Sequence, residues 1–448
     1  MIKKIVILFC LTVVVAGSAW AGNGNMLHGF GPVNSSMGGA GAGIWVGDPV
    51  GALMFNPALM SASSGNHISF GTEIFFDDPK FEVTLNDGTT GTGNPSTEPG
   101  ILPSFGYTYH ALGSKWAFGF GLIGIAGFRT DNPEDPNSIL FASPEDGGFG
   151  RIYTDHRVTK IPLAASYQAT DKLALGLALN GYIAELAIAP LPHEVIDQAV
   201  VNGRIVSYYP QGDGMTKSYA FSFQPSFYYQ ATDKWSFGGS YTTEQDFDEF
   251  EWNSTFANPH LIDDAGGRPF GRARTLSYDL DGPAILTLGV GANLNNKTEV
   301  AVDVSYIKYD GVAGFGSPGG ITIENGVAVV QPFGWDNVWA FKIGVQHKIN
   351  DKVTVRAGYN YSDIPIPPEN TLTATGAPAF FQHHFALGTG VMLTKTLTAN
   401  LGFYYVPEST SVGPLLAPTD DFTGVTTNGT VKESNSLISF LLGLHWQF

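Results

Sequence analysis

Arg356 and Lys342 are the two basic side chains whose setting in the sequence points to chemistry with a ligand. Alternation puts both on the polar faces of strands whose other faces carry Val353 and Val355 in one case and Phe341 and Ile343 in the other. A guanidinium or ammonium placed there can neutralise a carboxylate. The plainer alternative is internal pairing, with Asp303 on a face of the same kind or with Asp48 in a glycine-rich stretch near the N-terminus. Other candidate groups lead away from chemistry. His383 and His384 are adjacent on a strand pattern, so they face opposite sides and cannot chelate one metal together. Asp77-Asp78, Asp263-Asp264 and Asp420-Asp421 lie in or beside long loops and read as solvated charges rather than calcium ligands. Gly39-x-Gly41-x-Gly43 has neither a strand before it nor a βαβ unit after it, so it is not a nucleotide loop. No nucleophile–base pair or carboxylate pair stands out, so no catalytic residues, metal ligands or cofactor are expected.

The elements that must position Arg356 and Lys342 follow from the chain's ends, composition and alternation. Met1–Ala21 reads as a secretory signal: Lys3 and Lys4, an apolar run Ile5–Val15, and Ala19-Trp20-Ala21 before Gly22. Its apolar run is shorter than the ~20 residues a membrane helix needs. Cys10, the only cysteine, lies inside it. The mature chain then keeps 21 basic residues against 40 acidic ones, which makes nucleic acid an unsuitable partner. Only 14% of residues are charged, against about 25% in ordinary soluble proteins, while 13% are aromatic and 56 are glycine. Without long apolar runs, a membrane protein of this kind must be a β-barrel.

Tyr219, Phe221, Phe223, Phe227 and Tyr229 share one face of a strand, with Ser218, Ala220, Ser222, Gln224 and Ser226 on the other. Such small, uncharged polar faces suit a lumen. Six short turns, of which Thr170-Asp171-Lys172 is typical, alternate with seven long loops: roughly 78–99, 130–153, 190–216, 248–272, 311–334, 364–378 and 407–432. Thirteen connections require fourteen antiparallel strands, with short turns and both chain ends on the periplasmic side. The expected fold is therefore all-β: a transmembrane barrel over residues 66–448, with residues 22–65 as an N-terminal hatch plugging the lumen. Met37–Leu59, rich in glycine and apolar residues, follows no strand or helix pattern and reads as the compact body of that plug. Ile44, Trp45, Val46, Leu53, Met54, Phe55 and Leu59 are expected to be buried or to line a greasy pocket. The last strand alternates to a terminal Phe448, which resembles the signal read by the outer-membrane insertion machinery.

With these features in place, the chain resembles the FadL-type family of outer-membrane transporters for hydrophobic compounds, over its whole mature length. The residues that carry the likeness are Gly38–Gly43, Asp48 and Asn56-Pro57-Ala58 in the hatch, and Arg356-Ala357-Gly358 with Asp363, Pro365, Pro367 and Asn370 farther on. The resemblance implies passive uptake of hydrophobic small molecules, foremost long-chain fatty acids, or else monoaromatic hydrocarbons. The ligand would be captured between the third and fourth outer loops, passed to a pocket above the hatch, and released sideways into the membrane. Phe30 corresponds to an aromatic that enters that pocket. A kinked third strand, here 115–128 with Gly119, Gly121, Gly124 and Gly127, would open the wall; the alternative is that these glycines give the hatch room. Outer-membrane lipid and lipopolysaccharide would surround a monomer. An outer-membrane enzyme such as a lipase, and a hydrophilic porin, are the competing classes.

Overall fold

Along Ser218–Gln224 the burial of the chain is inverted relative to a soluble protein. Tyr219, Phe221 and Phe223 are 53%, 70% and 57% exposed, while Ser218, Ser222 and Gln224 are buried. This pattern places the apolar face outward, toward lipid, and the polar face inward. It recurs along the fourteen strands of one closed antiparallel barrel.

The computed structural model describes residues 22–448 except 94, 97, 193, 195–196, 202–203, 255–273, 325–326 and 419–423. Residues 1–21, expected to be a secretory signal, and Asp263-Asp264 and Asp420-Asp421 therefore lie outside the described residues. The barrel strands are β1 (Gly65–Asp77), β2 (Gly100–His110), β3 (Trp116–Asn132), β4 (Ile152–Gln168), β5 (Leu173–Ala189), β6 (Gly212–Gln230) and β7 (Trp235–Thr242). They continue with β8 (Ala284–Asn295), β9 (Thr298–Lys308), β10 (Val338–Lys348), β11 (Val353–Ser362), β12 (His383–Met392), β13 (Leu397–Pro418) and β14 (Val425–Gln447). Each pairs with its neighbour in sequence, and β14 closes on β1 from His67↔Gln447 to Asp77↔Leu437. Closure leaves the barrel wall without an unpaired edge, the condition for spanning a bilayer with strands.

Several local expectations are corrected. The stretch 407–432 is largely strand: β13 and β14 stay paired through Pro418↔Val425, above the level of the other strands. A hairpin, Lys80–Leu85 with Thr90–Gly93, extends that sheet. The third strand is longer than 115–128, reaching Asn132. Asp77 is buried rather than solvated, and Asp78 lies 3.5 Å from Lys80. The stretch 37–59 is not free of helix. A helix α1 (Gly31–Ser36) precedes it, α2 (Pro49–Phe55) lies within it, and a 3-10 turn runs from Pro57 to Ala62. Both helices are shorter than two turns and buried all round, so no amphipathic period marks them.

Candidate ligand site

Residues 22–60 are buried almost without exception, and lumenal side chains meet several of the backbone polar groups that the segment does not pair within itself. Gly41 and Ala42 both donate their N–H groups to Asp303 Oδ2 at 2.8 Å. Ser236, Ser240 and Gln224 donate to the carbonyls of Gly43, Phe55 and Met54 at 2.7, 2.7 and 2.8 Å. The small polar lumenal faces are thus the complement of an irregular peptide that cannot satisfy itself. Gly38 sits so close to β11 that a Cβ on it would stand 2.6 Å from the Tyr359 nitrogen, and its φ of 65° favours glycine as well.

Asp48 and Asn56-Pro57-Ala58 hold this segment in shape. Asp48 caps α2, accepting from the Val50 N–H at 3.0 Å, and its other oxygen accepts from the Asn34 N–H at 3.2 Å. Burial raises its pKa to about 6, opposed by those amides and by the charge of Arg356. Asn56 caps the 3-10 turn and donates to the carbonyls of Ala42 and Phe227 at 2.7 and 2.8 Å, joining segment to wall. Pro57 takes the first position of that turn, where a missing N–H costs nothing. Ala58 fills the space left by Gly176, whose Cβ would stand 2.5 Å from the Ala58 nitrogen.

Above α2 lies an apolar pocket lined by Met26, Leu27, Phe30, Met54, Phe55 and Ile307, with two ammonium groups, Lys342 and Lys160. Its free volume is about 30 Å³, so the side chains nearly fill it. Lys342 Nζ lies 4.2 Å from the centroid of the Phe55 ring, and Lys160 Nζ donates to Gln224 Oε1 at 2.8 Å. Neither is within ion-pair distance of a carboxylate among the described residues, although Lys342 stands directly across the sheet from Asp303. Asp303 is engaged instead by the two amides. Lys160 escaped the sequence reading, yet the parity argument that placed Lys342 would have found it: Ala164 and Ser166 lie on the same face of β4.

Arg356 is elsewhere. It lines a separate cavity of about 260 Å³ beneath the segment, with Trp45, Glu299, Gln346, Lys348 and His445. Its Nε donates to Gln346 Oε1 at 3.0 Å and its Nη1 to Asn400 Oδ1 at 3.2 Å. Parity told which face Arg356 occupies but not its height in the barrel. His384 is buried against His28, with ring centroids 4.8 Å apart, while His383 faces the other way toward Tyr359. Burial lowers the His28 pKa to about 3, so that ring is neutral.

The wall is interrupted beside the pocket. Pairing of β2 with β3 stops at Ser104↔Ile123, and the next β2 residue in that direction, Pro103, has no N–H to donate. A register shift against β4 falls between Gly124 and Ala126. There the N-terminal segment takes the place of β2: Leu27 donates to the Ile125 carbonyl at 3.2 Å, and Gly127 donates to the Asn25 carbonyl at 3.0 Å. Gly124 and Gly127 thus flank an irregularity, whereas a Cβ on Gly119 would meet Met60 Sδ at 2.6 Å and one on Gly121 would meet Leu53 at 3.3 Å. Two of the four glycines border the irregularity, and the other two give the N-terminal segment room.

On the outer side an apolar groove is lined by Phe149, Pro190, Pro192, Ile321, Phe333 and Leu372. The third outer loop contributes as expected. Its other described walls come from the second, fifth and sixth loops, and most of the fourth lies outside the described residues. Phe315, Phe333 and Trp335 stack between this groove and Tyr309, with Phe315 and Trp335 centroids 4.6 Å apart.

Ser63, His67 and His445 form a row that superficially resembles a catalytic triad, with Ser63 Oγ 2.5 Å from His67 Nε2. That nitrogen also lies 3.2 Å from the Ser64 carbonyl. In the tautomer that donates to this carbonyl, Nε2 carries the proton and does not act as base toward Ser63.

Comparison with known proteins places this geometry. The model of a family described as outer membrane protein transport protein (OMPP1/FadL/TodX) matches residues 12–439. Outer membrane protein P1 of Haemophilus influenzae is 21% identical over 438 residues, covering 90% of each chain. The crystal structure of a Pseudomonas aeruginosa FadL homologue superposes with a TM-score of 0.69 at 17% identity, over 96% of this chain and 100% of that one. The Pseudomonas putida toluene transporter TodX gives 0.66 at 20% identity, over 94% and 99%.

Proposed function

This chain belongs to the OMPP1/FadL/TodX family of outer-membrane transport proteins, and we propose on that premise that it takes up long-chain fatty acids by passive transport. The observation that carries the fatty acid is the pair Lys160 and Lys342, two ammonium groups without ion-pair partners among the described residues, set in an apolar pocket. An apolar tail buried there gains about 25 cal/mol per Å² of covered surface, and a carboxylate gains a charged partner. Residues 22–65 act as the hatch. Met26 and Met54, flexible and unbranched, are suited to move aside for a guest larger than the present free volume.

The ligand enters through the outer groove and leaves sideways where β2 and β3 part, once Asn25–Leu27 withdraws from β3. Phe30 lines the pocket in the role its sequence position implied. Phe448 serves as the signal for barrel insertion, and the protein works as a monomer among outer-membrane lipid and lipopolysaccharide.

A monoaromatic hydrocarbon is the second reading. The small free volume and the aromatic rings of Phe30 and Phe55 favour it, as does the likeness to the toluene transporters TodX and TbuX. Uptake of a labelled long-chain fatty acid and of labelled toluene by transporter-deficient cells separates the two. Fatty acid uptake that falls severalfold in K160M/K342M supports the first reading. Toluene uptake indifferent to that change supports the second. No uptake of either by cells carrying the inserted barrel would defeat both, and ester hydrolysis by the purified protein would revive the enzyme.

A further inference from the structure

Every one of the six short periplasmic turns carries a lysine: Lys115, Lys172, Lys234, Lys297, Lys352 and Lys395. All six are exposed. Among the described residues none of them forms an ion pair. At the opposite end of the barrel cations are neutralised locally: Arg151 by Asp131 at 2.8 Å, Lys217 by Glu185 at 2.9 Å, Lys432 by Glu82 at 3.6 Å, and Lys80 by Glu408. In these turns only Asp171, Asp233 and Asp351 oppose the lysines, although the whole chain carries 40 acidic residues against 23 basic ones. The periplasmic rim is the cationic end of an anionic protein.

The lysines stand among apolar residues that face lipid. Leu112, Leu294, Ile349 and Leu393 are exposed in or beside the same turns. Lys234 Nζ lies 5.6 Å from the Trp235 ring centroid and Lys115 Nζ 6.0 Å from that of Tyr167, so their stems run over interfacial aromatics. Lys172 Nζ reaches the next turn and donates to the Ala231 carbonyl at 2.9 Å.

We propose that this lysine ring binds the phosphodiester headgroups of anionic phospholipids in the periplasmic leaflet and thereby fixes the depth of the barrel. Charge complementarity requires an anionic partner, and the circumferential spacing selects a lipid. A leaflet meets every turn of the barrel at once, whereas a globular periplasmic partner would engage only an arc of the ring. The interleaved leucines and isoleucine match acyl chains just above the headgroups.

The test uses the full barrel reconstituted with brominated-tail phosphatidylglycerol or phosphatidylcholine, with quenching of its tryptophans reporting which lipid is adjacent. The expected preference for phosphatidylglycerol is about fivefold, the factor for one lysine engaged on an anionic surface. It shrinks in high salt. Glutamine at the six turn lysines abolishes it, and arginine at the same positions keeps it, with heat-modifiable gel mobility verifying that each variant is folded. An equal preference in wild type and the glutamine variant would overturn the proposal. So would wild type lacking any preference, including the case in which the rim instead retains a periplasmic protein or cell-wall fragment.

Discussion

The Tyr309 hydroxyl lies 2.7 Å from Asn25 Oδ1 and accepts the Asn25 backbone N–H at 2.9 Å. The same ring touches Phe315 and Trp335, with centroids 5.6 and 5.1 Å away, and these belong to the fifth outer loop. Asn25 in turn accepts from Gly127 at the interrupted edge of β3. One phenol therefore joins the outer aromatic stack to the peptide that fills the break in the wall. Replacing Tyr309 with Phe removes both hydrogen bonds and keeps the stack. At about 1 kcal/mol each, the change should speed hydrogen exchange of the Leu27 and Gly127 amides at least about tenfold. Unchanged exchange at those two amides would mean that the phenol does not hold the segment.

Asp303 accepts two backbone amides through one oxygen, so its removal orphans two buried donors. Each unsatisfied donor costs about 1–3 kcal/mol. The Asp303→Ala variant is expected to hold the segment loosely, raising single-channel conductance in planar bilayers and exposing residues near Gly41 to protease. Asp303→Asn keeps an acceptor and should conduct less than the alanine form. Equal, low conductance in all three proteins would contradict the account.

Arg356 and Lys342 should behave differently despite their matching parity. Arg356→Ala alters the cavity beneath the segment and is expected to leave ligand affinity within about twofold, because it touches nothing in the upper pocket. Lys342→Met should weaken binding of a fatty acid, as read by tryptophan fluorescence titration, while leaving toluene binding nearly unchanged. An arginine variant that loses fatty acid binding with an intact fold would return that residue to the site.

The outer loops should soften as pH rises. Asp281 accepts from the Phe247 N–H at 2.7 Å, and burial, helped by nearby Asp279, Asp246 and Glu244, raises its pKa to about 7. A carboxyl whose folded pKa lies above its unfolded value contributes stability fully below the unfolded value and loses it as pH rises through the folded one. Amides around Phe247 should therefore be better protected at pH 5 than at pH 8, after correction for intrinsic exchange, and Asp281→Asn should flatten the difference. Protection that increases with pH would have the wrong sign.

Much of the barrel could be read from the chain because a strand between lipid and lumen has only two faces. Parity assigned Phe221 outward, Ser222 inward and Lys342 inward, and the turns with lysine marked where each pair of strands returns. Height along the barrel axis leaves no such mark, which is why Arg356 was grouped with Lys342 although a layer of peptide separates their cavities. The helices α1 and α2 were illegible because all their faces are covered, and a periodic pattern arises only when one face is left in water. The break between β2 and β3 had a visible cause in Pro103 and Gly124, but its filling by Asn25–Leu27 depends on contacts about a hundred residues apart. Lys160 was legible and overlooked.

The seating of residues 22–62 inside a wall made entirely of later residues constrains the order in which the molecule can be made. The Gly41 and Ala42 amides find Asp303 some 260 positions downstream, and Asn360 donates to Asn23 across 337 positions. Asn25 and Leu27 find β3 early, but the partners of Gly41, Ala42 and Asn23 stand on β9 and β11, late in the chain. Contacts of such sequence separation form slowly, since loop closure precedes their reward. Seating of the segment is complete only once β9 and β11 are present. A wall that closes first leaves only its two open ends as the way in for residues 22–62.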